Sequence, residues 1–183
     1  MRNQAIAKRY AKAIFEVAVE EGRVDEYGQE LEQVLALFRE VPEFERVLVS
    51  PMYPEDVKLS TVDRVAEITE MSPVMYRFVR LLVEKQRIKF FSDIVSYYRK
   101  LQDERENIAR AQVTAAVDLD EATLDLIAEA LGKVVGKKIV VEFNKDPELI
   151  GGVVARVGDL VWDGSVRTQL KNIKETLKRG ELG

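Results

Sequence analysis

From Asn3 to Arg105 the apolar positions recur at intervals of three and four, the spacing that puts side chains on one face of an α-helix. The pattern predicts six helices. The first runs from about Asn3 to Glu21 and stops at Gly22. The second takes Asp25 as its N-cap and sets Tyr27, Leu31, Val34, Leu35 and Phe38 on one face. Pro42 starts a short third helix that ends at Ser50-Pro51, and Pro54 opens a fourth with Val62, Val65 and Ile68 inward. Ser72-Pro73 is an N-cap and N1 pair for the fifth, and a sixth runs from about Phe91 to Arg105. Connections this short favour antiparallel neighbours in a bundle.

Past the polar stretch Asp103 to Asn107 the period changes to two. Val113, Ala115 and Val117 alternate as a strand. Asp120 then caps a helix whose Leu124, Ile127, Leu131 and Val134 share a face, and Gly136 ends it. Ile139, Val141 and Phe143 alternate next. Val153 to Val157 and Leu160 to Trp162 flank Gly158-Asp159, a hairpin whose leading glycine suits a type II′ turn. A last helix starts at Ser165 with Val166, Leu170, Ile173 and Leu177 in one stripe. The expected fold is mainly α with a small α/β part. An N-terminal six-helix bundle over residues 1–105 precedes a small C-terminal α/β domain over 106–183, with a β-hairpin and a final helix. Glycine follows the same division, since eight of the ten lie from Gly132 onward.

Composition narrows the function. The chain of 183 residues is 46% hydrophobic, enough for a sizeable core. Its formal charge of −4 argues against a dedicated nucleic-acid binder, which must neutralise phosphates. Cys and His are absent, which excludes thiol nucleophiles, imidazole acids and bases, disulfides and ordinary zinc or haem sites. The longest charge-free run, Val47 to Pro54, is far too short to cross a bilayer, so membrane insertion is not expected. No targeting signal is visible, and the sequence reads as intracellular.

The remaining candidates for chemistry have plainer readings. Gly132 to Lys138 superficially resembles a phosphate loop, but it has three residues between its glycines and closes a helix instead of opening one. Asp118, Asp120, Glu121 and Asp125 cluster at a helix N-terminus, where acids suit the dipole without a metal. Asp163 and Ser165 lack a nucleophile elbow, and capping by Ser165 is the simpler role. Arg167, Lys171, Lys174 and Lys178 make one flank of the last helix basic, a solvated flank or the rim for an acidic partner. No catalytic residue, cofactor or metal is expected.

A more informative anomaly is surplus apolar surface. The first helix carries Ile6, Tyr10, Ala13, Ile14 and Val17 on one face and Ala7, Ala11 and Ala18 on an adjoining one. The fifth has seven apolar residues in nine positions from Met75 to Val83, interrupted by Arg77 and Arg80. Such a helix is either central in the bundle or open to a partner on its second side. If the first and fifth helices are neighbours, their spare faces form a groove suited to a foreign amphipathic helix.

The same residues carry a family likeness. Ile6 to Ala18 resembles the first helix of the delta subunit of F-type ATP synthases, whose mitochondrial counterpart is the oligomycin-sensitivity-conferring protein. Leu81 to Ile88 is similar to that family's fifth-helix segment. The closing stretch resembles its C-terminal signature through Gly151, Gly152, Arg156, Gly158, Asp159, Asp163, Gly164 and Ser165. Trp162 departs from a usual smaller aliphatic, and Lys85-Gln86 from a common Asn-Gly; the second departure bears on the rim of the groove.

The resemblance implies a non-catalytic stator subunit. Its bundle would grip the N-terminal helix of an alpha subunit, and its C-terminal domain the b subunits of the peripheral stalk, so that torque drives ATP synthesis instead of spinning the head. On this reading Tyr10, Ala13, Ile14, Phe78, Leu81 and Leu82 face the alpha-subunit helix, with Arg80 and Lys85 on the rim. One copy per complex is implied, monomeric when isolated and peripheral at the cytoplasmic face of a bacterial plasma membrane. The alternative is a helical adaptor that binds nucleic acid or an anionic surface through its basic last helix.

Overall fold

The computed structural model describes the backbone of residues 2–179 and the side-chain surroundings of residues 4–174. The chain is mainly helical with a small mixed sheet, and it divides into two compact units, Met1–Gln102 and Asp103–Gly183.

The first unit holds α1 (Arg2–Glu20), α2 (Val24–Glu40), α3 (Pro42–Val49), α4 (Glu55–Ile68), α5 (Pro73–Glu84) and α6 (Phe91–Arg105), the last running just past the division. Aromatic rings fill its centre. Phe38 meets Phe44 and Phe91 with centroids 5.3 Å apart, and Phe15 lies edge-on to Tyr98 at the same separation. Buried Tyr98 donates its hydroxyl to the Val24 carbonyl at 2.8 Å, so its polar tip is satisfied inside the core.

Three helix ends share one device. After α1, α4 and α5 the chain turns through a residue of positive φ: Gly22 at 69°, Glu70 at 50° and Gln86 at 55°. In each case the next residue's N–H reaches back five positions: Arg23 to Ala18, Met71 to Ala66 and Arg87 to Leu82, at 2.7–3.0 Å. This is the Schellman closure, usually built on glycine because a Cβ is strained at positive φ. Only the first of the three uses glycine.

Several expectations need correcting. Asp25 is not the N-cap of α2; the helix begins at Val24 behind Arg23, which makes no side-chain cap. Asp25 sits in the first turn, where its charge still suits the dipole, and accepts a hydrogen bond from Gln102. Ile68 is not inward. It is 79% exposed, because α4 ends there and only Val62 of its three expected core residues is fully buried. Ile88–Phe90 forms a 3-10 turn that buries Ile88 and Phe90, and a three-residue element is too short to give a periodic signal.

In the second unit the order is β1 (Ile108–Ala115), α7 (Glu121–Val135), β2 (Lys138–Lys145), β3 (Val153–Val157), β4 (Leu160–Asp163) and α8 (Val166–Arg179). The sheet order is β2-β1-β3-β4. β1 and β2 are parallel, joined through α7, and the other two pairings are antiparallel. The register lines Phe143, Val113, Ala155 and Trp162 across one face, where they join Leu124, Ile127 and Leu131 of α7 in a second apolar core. Gly158 takes φ 58° at the hairpin tip. Val117 lies beyond the end of β1 and is exposed, and Val134 of α7 points outward while Val135 packs inward. Leu177 and Lys178 lie outside the described side chains.

Candidate helix-docking groove

Ser72 starts α5 by accepting the Met75 N–H on its hydroxyl at 3.3 Å, with Pro73 at the first helical position. The apolar residues of α5 then split between two surfaces. Met75, Val79, Leu82 and Val83 are buried in the core of the helical unit. Val74, Phe78 and Leu81 border an open groove against Tyr10, Ala13, Ile14 and Val17 of α1. A third side of the helix is polar: Arg80 donates to Asp63 at 2.9 Å and to the Tyr76 hydroxyl at 2.8 Å, and Tyr76 also donates to Asp63. The helix is therefore both central and open on one side.

The inner face of α1 is its small one. Ala7, Ala11 and Ala18 are buried with Ile14, which lets neighbouring helices approach closely. The bulkier Tyr10 and Val17 stay half-exposed.

Arg9, Tyr10, Ala13, Ile14 and Val17 of α1 and Val74, Arg77, Phe78 and Leu81 of α5 enclose a groove of about 430 Å³. Both helices contribute positions spaced by three and four: 10, 13, 14, 17 and 74, 77, 78, 81. At 1.5 Å per residue these sets run for roughly 10 Å, two turns of a helix laid alongside. Ile14 and Phe78 form the buried floor, Leu81 is 40% exposed on the wall, and Ala13 is exposed. Arg9 and Arg77 are exposed at the rim, and the Arg9 guanidinium lies 5.7 Å from the centre of the Tyr10 ring. An apolar floor, the small Ala13 and charged edges are features shared by grooves that take amphipathic helices.

Five of the eight residues expected here, Tyr10, Ala13, Ile14, Phe78 and Leu81, come together in the groove. Leu82 does not; it is fully buried on the core side of α5. Arg80 is turned to Asp63 and also pairs with Glu84 at 3.6 Å, while Lys85 is exposed beyond the helix end. Arg9, Val74 and Arg77 also line the groove and were not expected there, as does Val17, which was expected on the same face of α1 as Tyr10 but not named for the groove. Extending the same spacing by one turn on each helix finds all four.

The signature residues of the second unit do structural work. Gly152 has φ 85°, and a Cβ there would lie 2.3 Å from the Gly164 carbonyl oxygen. Gly164 donates its N–H to Val153 and Val166 donates to Gly151, both at 3.0 Å, which ties the start of α8 to the approach to β3. Asp163 accepts the Ser165 N–H at 2.9 Å and the Thr168 hydroxyl at 2.7 Å. These bonds, Ser165's first and then Thr168's, hold the Asp163 carboxyl below the usual carboxylate range. Ser165 is buried and caps α8 by accepting the Thr168 N–H. Arg156 donates to the Gly158 carbonyl at 3.2 Å, and Asp159 is exposed in the hairpin turn.

From this anchor α8 projects an apolar stripe whose Leu170 and Ile173 are uncovered among the described residues. Leu170 and Ile173 are 58% and 56% exposed, with Arg167, Lys171 and Lys174 exposed beside them. Among the described residues no cluster of acidic side chains is arranged to hold a metal ion. Asp118 pairs instead with Lys145 at 2.6 Å, and Asp120 caps α7 by accepting the Thr123 N–H. Gly136 closes α7 at φ 73° with its N–H on the Gly132 carbonyl, so that segment is a helix stop. No described helix is long and apolar enough to cross a membrane.

The helical unit presents an open groove and the α/β unit an exposed apolar helix face, two candidate contact surfaces. Residues 6–177 match the model of the ATP synthase delta (OSCP) subunit family, and the chain belongs to that family. Its members are non-catalytic subunits of the complex. The chain is similar to proteins named ATP synthase subunit delta from Syntrophobacter fumaroxidans, at 49% identity over 100% of both chains, and Desulfatibacillum aliphaticivorans, at 42% over 99% of both. The fold matches a chain in the mitochondrial ATP synthase hexamer of Toxoplasma gondii with a TM-score of 0.69 at 20% identity, covering 93% of this chain and 96% of that one.

Proposed function

We propose that this subunit ties the catalytic head of the ATP synthase to its peripheral stalk. The α1–α6 unit acts as a self-standing six-helix bundle, and its groove holds the N-terminal helix of one alpha subunit. The second unit, a small α/β domain with a hairpin and a final helix, holds the b subunits, with the uncovered α8 stripe as part of that contact. One copy serves each complex, peripheral at the cytoplasmic face of the membrane and monomeric when isolated.

The single observation that carries this reading is the α1–α5 groove, whose two walls repeat the same helical spacing around the buried Ile14 and Phe78. A tie in a rotary machine must outlast each loading cycle, which calls for slow dissociation from a desolvated contact. Holding head and stalk through one chain adds effective concentration, worth about a hundredfold or more when both contacts are geometrically allowed. The subunit itself moves no proton and cleaves no bond; its part is to keep the head from turning.

The test is a pair of titrations on the full chain, one with a peptide of the alpha-subunit N-terminus and one with a soluble C-terminal fragment of the b subunits. Both should bind at once. A chain that binds neither contradicts the proposal.

A further inference from the structure

The first unit carries a second cleft of the opposite charge. It runs along α2 and the turn between α4 and α5, has a volume of about 430 Å³, and shares no lining residue with the α1–α5 groove. Its floor is apolar: Val34, Leu37, Val65 and Met71. Three carboxylates, Glu30, Glu40 and Glu70, edge it, and no Lys or Arg is among the described residues that line it.

Two of these acids stand where folding alone disfavours them. Glu40 is the last residue of α2, and Glu70 lies just past the end of α4 at φ 50°. A helix C-terminus presents unpaired carbonyls and attracts cations, so an acid there works against the macrodipole. Two helix ends and three carboxylates therefore give the mouth of an apolar cleft a negative potential. Glu30 is fixed by the Ser72 N–H, which donates to its carboxylate at 3.1 Å. Among the described residues neither Glu40 nor Glu70 forms a salt bridge, and Ile68, next to Thr69 of the cleft wall, adds apolar surface that is 79% exposed. From Glu30 to Glu40 the α2 wall is roughly 15 Å long, room for about three turns of a helix.

We propose that this cleft docks a basic amphipathic helix of another polypeptide, with its apolar face on Val34, Leu37, Val65 and Met71 and its Lys or Arg residues on Glu40 and Glu70. The partner differs in kind from the occupant of the α1–α5 groove. That groove is edged by Arg9 and Arg77, so like charge keeps a basic helix out of the first site and an acidic one out of the second.

The test uses the full chain with labelled methyl groups and two synthetic helices of about 14 residues, long enough to be helix-competent. Both carry leucines on one face; one is flanked by lysines and the other by glutamates. The lysine peptide should shift the methyl signals of Val34, Leu37, Val65 and Met71 saturably, and the glutamate peptide should leave them in place. The double variant Glu40→Gln/Glu70→Gln should bind the lysine peptide about tenfold more weakly, the loss of two partly exposed ion pairs. Added salt should weaken binding to the unaltered chain in the same direction. Cleft signals that do not move, a glutamate peptide that moves them equally, or affinity unchanged by both the double variant and salt would overturn the proposal. None of these outcomes depends on whether the α1–α5 groove holds an alpha-subunit helix.

Discussion

Leu81 and Leu82 are consecutive on α5 and face different surfaces: Leu81 is 40% exposed on the groove wall, and Leu82 is fully buried in the helical core. One residue turns a helix by about 100°, enough to separate a docking surface from the interior. The pair divides the open groove from the core within a single turn.

Stability should follow that division. Leu82→Ala is expected to destabilise the helical unit by ~2–5 kcal/mol, the range for leucine truncation in a packed core. Leu81→Ala should lower it by about 1 kcal/mol or less, since the side chain already meets water. Denaturant unfolding of the two variants checks both values.

The end of α5 offers a stabilising change. Gln86 closes the helix at φ 55°, and Gln86→Gly should remove the Cβ strain, partly offset by the greater freedom of glycine when unfolded. A gain of roughly 0.5–1 kcal/mol is expected, from the ordinary penalty for a side chain in this region. A melting temperature that stays level or falls would contradict the Schellman account of this turn.

Much of this architecture was legible in the sequence. Ser72, Asp120 and Ser165 each read as N-caps and each accepts the expected N–H. Spacing picked out Tyr10, Ala13 and Ile14 on one face of α1, while the choice of Phe78 and Leu81 on α5 came with the family resemblance. Leu82 was misassigned because seven apolar residues in nine leave the helix without a phase, and only neighbours decide which side is core. Arg80 went to Asp63, seventeen positions away, a pairing no local pattern encodes. The stripe of α8 read like any core-facing stripe, yet Leu170 and Ile173 are exposed. Amphipathicity marks a face that wants cover and says nothing about which chain provides it.

Gly152→Ala should disrupt the second unit. Positive φ and a Cβ contact of 2.3 Å with the Gly164 carbonyl oxygen leave no room for a methyl group. A loss of about 2–4 kcal/mol is expected from strain and displaced backbone. Amide exchange should accelerate across β3, β4 and α8 and stay unchanged across α1 to α5. Uniform acceleration in both units would count against the assignment.

Acid should loosen the same junction. Asp163 is held below its ordinary pKa by Ser165 and Thr168, so its contribution is complete above the unfolded carboxylate value of about 3.9 and fades as pH falls through the folded one. Amide signals of Ser165 and Thr168 should therefore stay constant from neutral pH down to about pH 4 and change below it. Asp163→Asn should show the loosened pattern already at neutral pH. Equal protection of these amides in the variant and the unaltered chain would argue that Asp163 does not anchor α8.

The most direct measurement is calorimetric titration of an alpha-subunit N-terminal peptide into the unaltered chain, Leu81→Ala and Ala13→Leu, with melting curves on the same samples. Ala13 is exposed on the groove surface, so leucine there should leave melting nearly unchanged and block the approach of the foreign helix. Leu81→Ala should weaken binding by roughly 1–3 kcal/mol, the range for a buried interface anchor. Affinity should fall in both variants while the melting temperature holds. Normal peptide affinity in both variants would contradict the groove reading.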